Sequence, residues 1–310
     1  MKRYYGHGKL LLSGEYVVLD GADSLALPTK KGQSLECTRL QENELIWRSF
    51  DENYKSWLEV VFTLPELRLV SATYNTDKET EDNDYAERLQ DILLKIKDLN
   101  PLLFSDEGGF LMETYLEFDR EWGLGSSSTL IHCLSSWAQI DPYDLLQNTF
   151  GGSGYDLACA AADSAIIYKK TNSRPTVEVV DFNPPFKDNL FFVYLNQKMN
   201  SREGIKHYRE QNKENISKRK NRVSQISRQL ILCQKIEEFE ELMSEHEEIL
   251  SELLNLKTAK ETYFSDYPKM VKSLGAWGGD FVMVSGNLND MEYFKSKGYE
   301  VILPYEEMIL

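Results

Sequence analysis

No stretch of this chain is long and apolar enough to cross a bilayer, and its first residues, MKRYYGHGKLLLSGEY, lack the apolar run of a signal peptide. These absences predict a soluble, cytoplasmic protein. Positive charge is scarce: 35 Lys and Arg stand against 50 Asp and Glu, a formal charge of −15. Such a surface disfavours nucleic acid and anionic membranes as partners, although a local pocket of N–H groups and a few cations can still hold a phosphate. Cysteine is sparse as well. Cys37, Cys133, Cys159 and Cys233 lie far apart and form no CxxC pair, which argues against a disulfide framework or a zinc site. His7, His132, His207 and His246 show no metal-ligand spacing, and His132 is expected to be structural. No internal repeat appears. What is present is a 310-residue chain, 42% hydrophobic, enough for one large or two ordinary cores.

Along the chain, residues 1 to about 70 predict strands and turns, with β-branched or aromatic runs in KLLLSGEYVVLDG, SLECTRLQ, ELIWRSF and SWLEVVFTL. An acidic stretch then leads into a helix marked by Tyr85, Leu89, Ile92, Leu93 and Ile96. GFLMETYLEF returns to strand, followed by a helix to about Gln139 and a short helix at PYDLLQNTF. LACAAADSAIIY is expected to be helical. Two prolines in DFNPPFKDN suggest a boundary, giving domains 1–185 and 186–310. From Ser201 to about Thr262 the spacing is helical, first rich in Lys and Arg and then in Glu. Two neighbouring helices with complementary solvated faces explain that asymmetry better than a docking arm does.

Three glycine-bearing segments stand apart: GHGKLLLSGEYVVLDG, EWGLGSSSTL and LGAWGGDFVMV. In the second, glycines and serines precede a helix, where unpaired N–H groups and the helix dipole favour an anion. The plainer explanation is an N-cap by Ser126 or Ser127. Neither a Walker P-loop nor a Rossmann fingerprint fits the spacing.

Taken in order, GKLLLSGEYVVLDG, GLGSSS, GSGYDLA and GAWGGDFVMV resemble the motif set of the GHMP kinases, the superfamily of galactokinase, homoserine kinase, mevalonate kinase and phosphomevalonate kinase. The first motif is most similar to the phosphomevalonate kinase type, because mevalonate kinases tend to carry His where Tyr16 stands. The resemblance implies an α+β fold of two domains. An N-terminal α+β domain carries the ATP-binding loop, a C-terminal α+β domain carries a long helical pair, and the active site lies in the cleft between them.

It implies site residues too. Gly123, Leu124, Gly125, Ser126, Ser127 and Ser128 would wrap the ATP phosphates, with the Ser127 hydroxyl also on Mg²⁺. Asp156 would be the catalytic aspartate, accepting or orienting the proton of an acceptor hydroxyl, and Lys9 would stabilise the transferring charge. Ser153, Gly154, Lys198, Ser201 and Arg202 are candidates for holding an anionic small-molecule substrate. Glu15 is either structural or a lining residue of the pocket. For Asp156 the bland alternative is a helix N-cap; for Lys9, a surface lysine; for Lys198, Ser201 and Arg202, the cap of a long helix.

Two departures from the family pattern stand out. Trp277 replaces a glycine of the third motif, either narrowing that loop or stacking on a ligand. The acidic metal ligand of mevalonate kinases has its equivalent near Leu145, with Asp144 and Asp141 close by but out of register. The implied activity is phosphoryl transfer from ATP to a hydroxyl or phosphate of a mevalonate-pathway substrate, phosphomevalonate or mevalonate, in isoprenoid biosynthesis. The alternatives are a diphosphomevalonate decarboxylase-like enzyme and a non-catalytic binding or regulatory protein on the same fold. Neither the acceptor nor the oligomeric state follows from the sequence.

Overall fold

The computed structural model describes residues 1–75, 84–105, 107–197, 201–211, 214–275, 277 and 279–310, the Ser201 side chain aside. By its contacts the chain forms two compact units. One comprises Met1–Gly8, Lys31–Arg120 and Gly125–Ala161, and the other Lys9–Lys30, Glu121–Leu124 and Ala162–Leu310. The first two strands, β1 (Lys2–Ser13) and β2 (Ser24–Leu40), contribute residues to both.

In the first unit β2 pairs with β6 (Gly109–Leu116) from Gln33 to Leu40. β6 in turn runs parallel to β3 (Glu44–Phe50), and antiparallel β4 (Ser56–Thr63) and β5 (Leu69–Tyr74) complete the order. The strands alternate as half-buried strands should. Leu45, Trp47, Leu58, Val60, Phe62, Phe110 and Met112 face inward, whereas Tyr115 turns outward and stacks on Phe50 at 4.8 Å. Helix α1 (Tyr85–Leu99) brings Leu89, Ile92, Leu93 and Ile96 to that core, the stripe its spacing predicts. Helices α2 (Ser126–Ala138), α3 (Pro142–Gln147) and α4 (Tyr155–Ala160) add Ile131, Leu134, Leu145 and Leu157. Asp141 starts α3, accepting from the Tyr143 amide at 2.8 Å with Pro142 at the first helical position.

In the second unit, Ser24–Ala26 of β2 pair with β7 (Ile166–Lys169), and β7 pairs with β8 (Thr176–Val179). The helix expected over LACAAADSAIIY therefore ends at Ala160, and its C-terminal part is strand. Asp163 and Ser164 break the helical run, and Ile166, Ile167 and Tyr168 are all buried. The YVV of the first motif is likewise no strand. Gly14 (φ 96°) and Tyr16 (φ 61°) fold it into a 3-10 turn at Val17–Asp20.

A second sheet consists of β9 (Leu190–Tyr194), β10 (Val271–Ser273), β11 (Phe281–Ser285) and β12 (Ile302–Pro304), all antiparallel. β9 and β11 are almost wholly buried and so read as unbroken apolar runs. Around them lie α5 (Ser201–Glu210), α6 (Ile216–Leu232), α7 (Ile236–Leu254), α8 (Ala259–Tyr263), α9 (Met291–Ser296) and α10 (Tyr305–Met308). A Thr258–Glu261 capping box opens α8. α6 and α7 pack side by side, and Arg222 binds Glu245 while Arg219 meets Glu252 at 3.2 Å. The complementary-face expectation for the basic and acidic helices holds. Among the described residues no helix is long and apolar enough to cross a membrane.

Candidate active site

The glycine–serine segment that raised the anion question leads directly into α2. Gly123 (φ 64°) and Gly125 (φ 91°) both take left-handed backbone, where glycine carries no Cβ penalty. Leu124, between them, is buried, and its carbonyl accepts from the Lys9 amide at 2.9 Å. Lys9 of β1 and the Gly123–Leu124 end of the loop are thus neighbours within the second unit.

The serine N-cap is not what the structure shows. The cap residue is Gly125, no side chain caps the helix, and Ser126, Ser127 and Ser128 are its first three residues. Ser128 is buried and its hydroxyl donates back to the Gly125 carbonyl at 2.8 Å, while Ser127 is exposed. Thr129 steadies the turn, donating to Ser126 O at 2.9 Å and Gln33 Oε1 at 2.6 Å. The first turn of α2 therefore presents backbone N–H groups without a side-chain cap, the arrangement that suits an anion.

In the same unit α4 packs against α2, and α4 carries Asp156. Its entry, Gly151-Gly152-Ser153-Gly154, has all three glycines at positive φ. A Cβ at Gly151 or Gly152 would meet nothing within 4 Å, so backbone conformation rather than crowding demands glycine there. Gly154 is the cap, which leaves Asp156 inside the first turn and not at the N-cap. The Asp156 carboxylate is half-buried and accepts from the Leu157 amide at 3.0 Å. Tyr143 of α3 feels it. Burial, then the Asp141 and Asp156 charges, push that phenol up to about 12.

Glu15 has a different setting. It is buried in the second unit, 2.6 Å from the ammonium of Lys272, itself fully buried on β10. Glu247 of α7 approaches the same ammonium at 3.0 Å and accepts from the Ser273 amide and hydroxyl. Burial pushes Glu15 up to about 7 against the pull of Lys272. The two carboxylates outweigh burial at Lys272 and raise its pKa, so it stays charged. His246 completes the group. Its Nε2 accepts from the Gly14 amide at 2.9 Å, which puts the ring proton on Nδ1, and burial holds its pKa well below the ordinary value. Its 3.4 Å approach to Glu15 is therefore no ion pair. The structural role left open for Glu15 accounts for all of these contacts.

The third glycine-rich segment joins the first through Trp277. The Trp277 amide donates to the Tyr16 hydroxyl at 3.0 Å and its indole donates to the Lys257 carbonyl at 2.9 Å. The ring lies in the core with Tyr16, Tyr208, Leu250 and Leu253. It is not a platform for stacking a ligand. Tyr16 also touches α5, since a Cβ on Gly204 would lie 2.6 Å from its hydroxyl. Arg202 sits on this helix and is exposed; Lys198 and the Ser201 side chain lie outside the described residues.

The second unit thus gathers Lys9, Glu15, Gly123, Leu124 and Arg202, and the first unit Gly125, the three serines, Ser153, Gly154 and Asp156. Lys272, Glu247 and His246 escape sequence inspection, because helical spacing on α7 favours Leu242 and Ile249 over the buried polar pair beside them. No group of three or more His, Cys, Asp or Glu among the described residues is arranged to hold a metal.

No family model and no curated protein matches the chain. Solved structures do. It is similar to the mevalonate kinase of Methanococcus jannaschii, with a TM-score of 0.68 and 17% identity over 97% of this chain and 96% of that one. The Streptococcus pneumoniae phosphomevalonate kinase, solved with phosphomevalonate and AMPPNP, gives 0.67 and 17% over 97% and 99%. The Lactococcus lactis galactokinase, solved with galactose, gives 0.63 and 12% over 95% and 88%. Likeness of this length at such low identity is a likeness of fold, and the chain has the fold of the GHMP kinases.

Proposed function

We propose that the protein is an ATP-dependent small-molecule kinase, with phosphomevalonate the first acceptor to try and mevalonate the second. The observation that carries this is the start of α2: a left-handed glycine, no side-chain cap, three serines, and a preceding carbonyl tied to Lys9. The fold it shares with kinases of mevalonate, phosphomevalonate and galactose supports the same reading.

In this proposal residues 123–128 hold the nucleotide phosphates, with Lys9 against the transferring charge. Asp156 orients an acceptor hydroxyl and takes its proton; a phosphate acceptor needs only the orientation. Mg²⁺ keeps waters and phosphate oxygens around it, and the exposed Ser127 hydroxyl is the protein group offered to it. Bound there, Mg²⁺ supplies neutralisation of phosphate charge. Arg202 is proposed to hold an anionic part of the acceptor, so Arg202→Glu raises the acceptor KM more than that of ATP.

The test is ADP release from Mg·ATP with phosphomevalonate, mevalonate, homoserine and galactose supplied separately, alongside calorimetry with Mg·AMPPNP. Turnover with one acceptor supports the kinase. Carbon dioxide release would instead indicate the decarboxylase-like alternative, and nucleotide binding without turnover the non-catalytic one. Absence of both binding and turnover sinks the proposal. The buried, hydrogen-bonded setting of Trp277 supports the catalytic reading over the non-catalytic one.

A further inference from the structure

We propose that Asp280 is the positioning residue of the nucleotide loop, its carboxylate acting as a brace between Gly123 and Gly275; this rests on the kinase reading above. Asp280 directly precedes β11 and is 5% exposed. Its backbone is held by the small sheet. Its carbonyl accepts from the Leu195 amide at 3.0 Å, and the next carbonyl, of Phe281, accepts from the Leu274 amide at 3.0 Å.

From this fixed base the carboxylate fills the space a side chain would need on two separate loops. A Cβ on Gly123 would lie 2.0 Å from Oδ2, 2.3 Å from Cγ and 2.8 Å from Oδ1. A Cβ on Gly275 would lie 2.5 Å from Oδ2. Both glycines are left-handed, at φ 64° and 73°. The three positions depend on one another, because the carboxylate fits only where both loops lack side chains, and each loop is held by contact with it.

A carboxylate beside a phosphate loop has the wrong sign for binding, and a buried one is costly unless donors surround it. The hypothetical Cβ positions place the carboxylate against the backbone of Gly123 and of Gly275, so its role is read from that packing and not from its charge. The same group is felt by Tyr16 of the first motif, whose phenol is raised by burial first and by Asp280 among the charges. One side chain therefore lies against Gly123 of the second segment and Gly275 of the third, and its charge reaches Tyr16 of the first. It fixes Gly123, hence the Leu124 carbonyl that binds Lys9 and the chain entering α2. Sequence inspection passes over Asp280 because it lies inside a glycine motif, where attention falls on the glycines.

The experiment is a double-mutant cycle read by Mg·AMPPNP calorimetry and by thermal unfolding. Asp280→Ala should weaken nucleotide binding at least ten-fold, and Asp280→Asn, nearly isosteric, should fall between it and wild type. Gly123→Ala alone should abolish binding. In the Asp280→Ala background, where the Cβ has room, Gly123→Ala should cost less than three-fold more. That non-additivity is the signature of a brace, since two independent structural defects would multiply. A multiplicative double variant overturns the proposal, as does an Asp280→Asn protein, folded by its melting transition, that binds like Asp280→Ala or like wild type. If wild type itself binds no nucleotide, the kinase reading fails with it; if wild type binds and Asp280→Ala binds equally, the brace alone fails.

Discussion

Glu15 and Asp156 look alike in the sequence and differ in the structure. Each carboxylate follows a glycine turn with positive φ, and each lies in a segment matched to a kinase motif. Glu15 is 4% exposed and buried against a fully buried lysine and a neutral histidine. Asp156 is half-buried and accepts from the neighbouring Leu157 amide, in a first turn approached through Gly151 and Gly152, which have open space around them. The same side-chain chemistry is fully buried in one place and half-buried in the other. A motif singles out the acid; its neighbours decide what the acid can do. Exchanging charge for shape at each position, and at the partners of Glu15, tests that distinction.

The largest effect is expected at Asp156. Asp156→Asn keeps the shape and the bond from the Leu157 amide but loses basicity, so kcat on the true acceptor should fall by about 10² to 10⁴. Nucleotide affinity and the melting temperature should barely move, because Asp156 is not the cap of α4. A variant with near-normal kcat removes Asp156 from the chemistry. One that melts early assigns it instead to the same class as Glu15.

Lys272→Met should cost stability rather than turnover as such. Removing one member of a buried ion pair leaves uncompensated charge, an effect of about 3–5 kcal/mol. That is a large share of the 5–15 kcal/mol a domain typically has, roughly. The melting temperature should drop sharply, and Glu15→Gln added to Lys272→Met should recover part of it. Without recovery, Glu15 is not the charge that Lys272 compensates.

The pH dependence of the same group gives a smaller but signed effect. Folding raises Glu15 from 4.5 to about 7, so its contribution is present below the unfolded value and lost as pH rises toward 7. Folding lowers His246 well below 6.5, so its contribution is present above 6.5 and lost as pH falls. Lys272 is raised above 10.5 and is silent in this window. The two slopes oppose each other in wild type. Glu15→Gln should expose the histidine slope, with melting temperature falling on acidification from pH 7 to 5 more than in wild type. His246→Asn, keeping an acceptor for Gly14, should do the reverse. Melting curves at several pH values decide it; variants that run parallel to wild type would disprove the coupling.

How much of this was legible beforehand follows from which forces each residue answers to. Leu89, Ile92, Leu93 and Ile96 answer to periodicity, and α1 lies where they place it. The segments matched to kinase motifs belong to a chain with the corresponding fold. Ile166 and Ile167 misled because a short buried strand and a helix end share one apolar signature, and only pairing with β2 and β8 separates them. His246, Glu247 and Lys272 were invisible because burial of paired charge is a long-range fact: Lys272 meets Glu15 across 257 positions of chain. Trp277 could be noticed as a departure, but its meaning needed Tyr16 and Lys257 around it.

The smallest effect belongs to an ion pair with better geometry than the buried one. Arg222 of α6 and Glu245 of α7 meet through two hydrogen bonds, the Nε bond at 2.6 Å and the other at 2.5 Å. Geometry alone would rank this pair above Lys272–Glu15. Yet the two side chains keep 34% and 40% of their exposure, so water already solvates each charge and screens the attraction. A double-mutant cycle with Arg222→Gln and Glu245→Gln should return a coupling of about 1 kcal/mol or less, shrinking further in 1 M salt, where the Debye length is about 3 Å against about 10 Å at 0.1 M. The Glu15–Lys272 cycle should return more and should hardly respond to salt, because no ions reach it. If the exposed pair couples as strongly as the buried one, burial is not what separates them, and the contrast between Glu15 and Asp156 loses its physical basis.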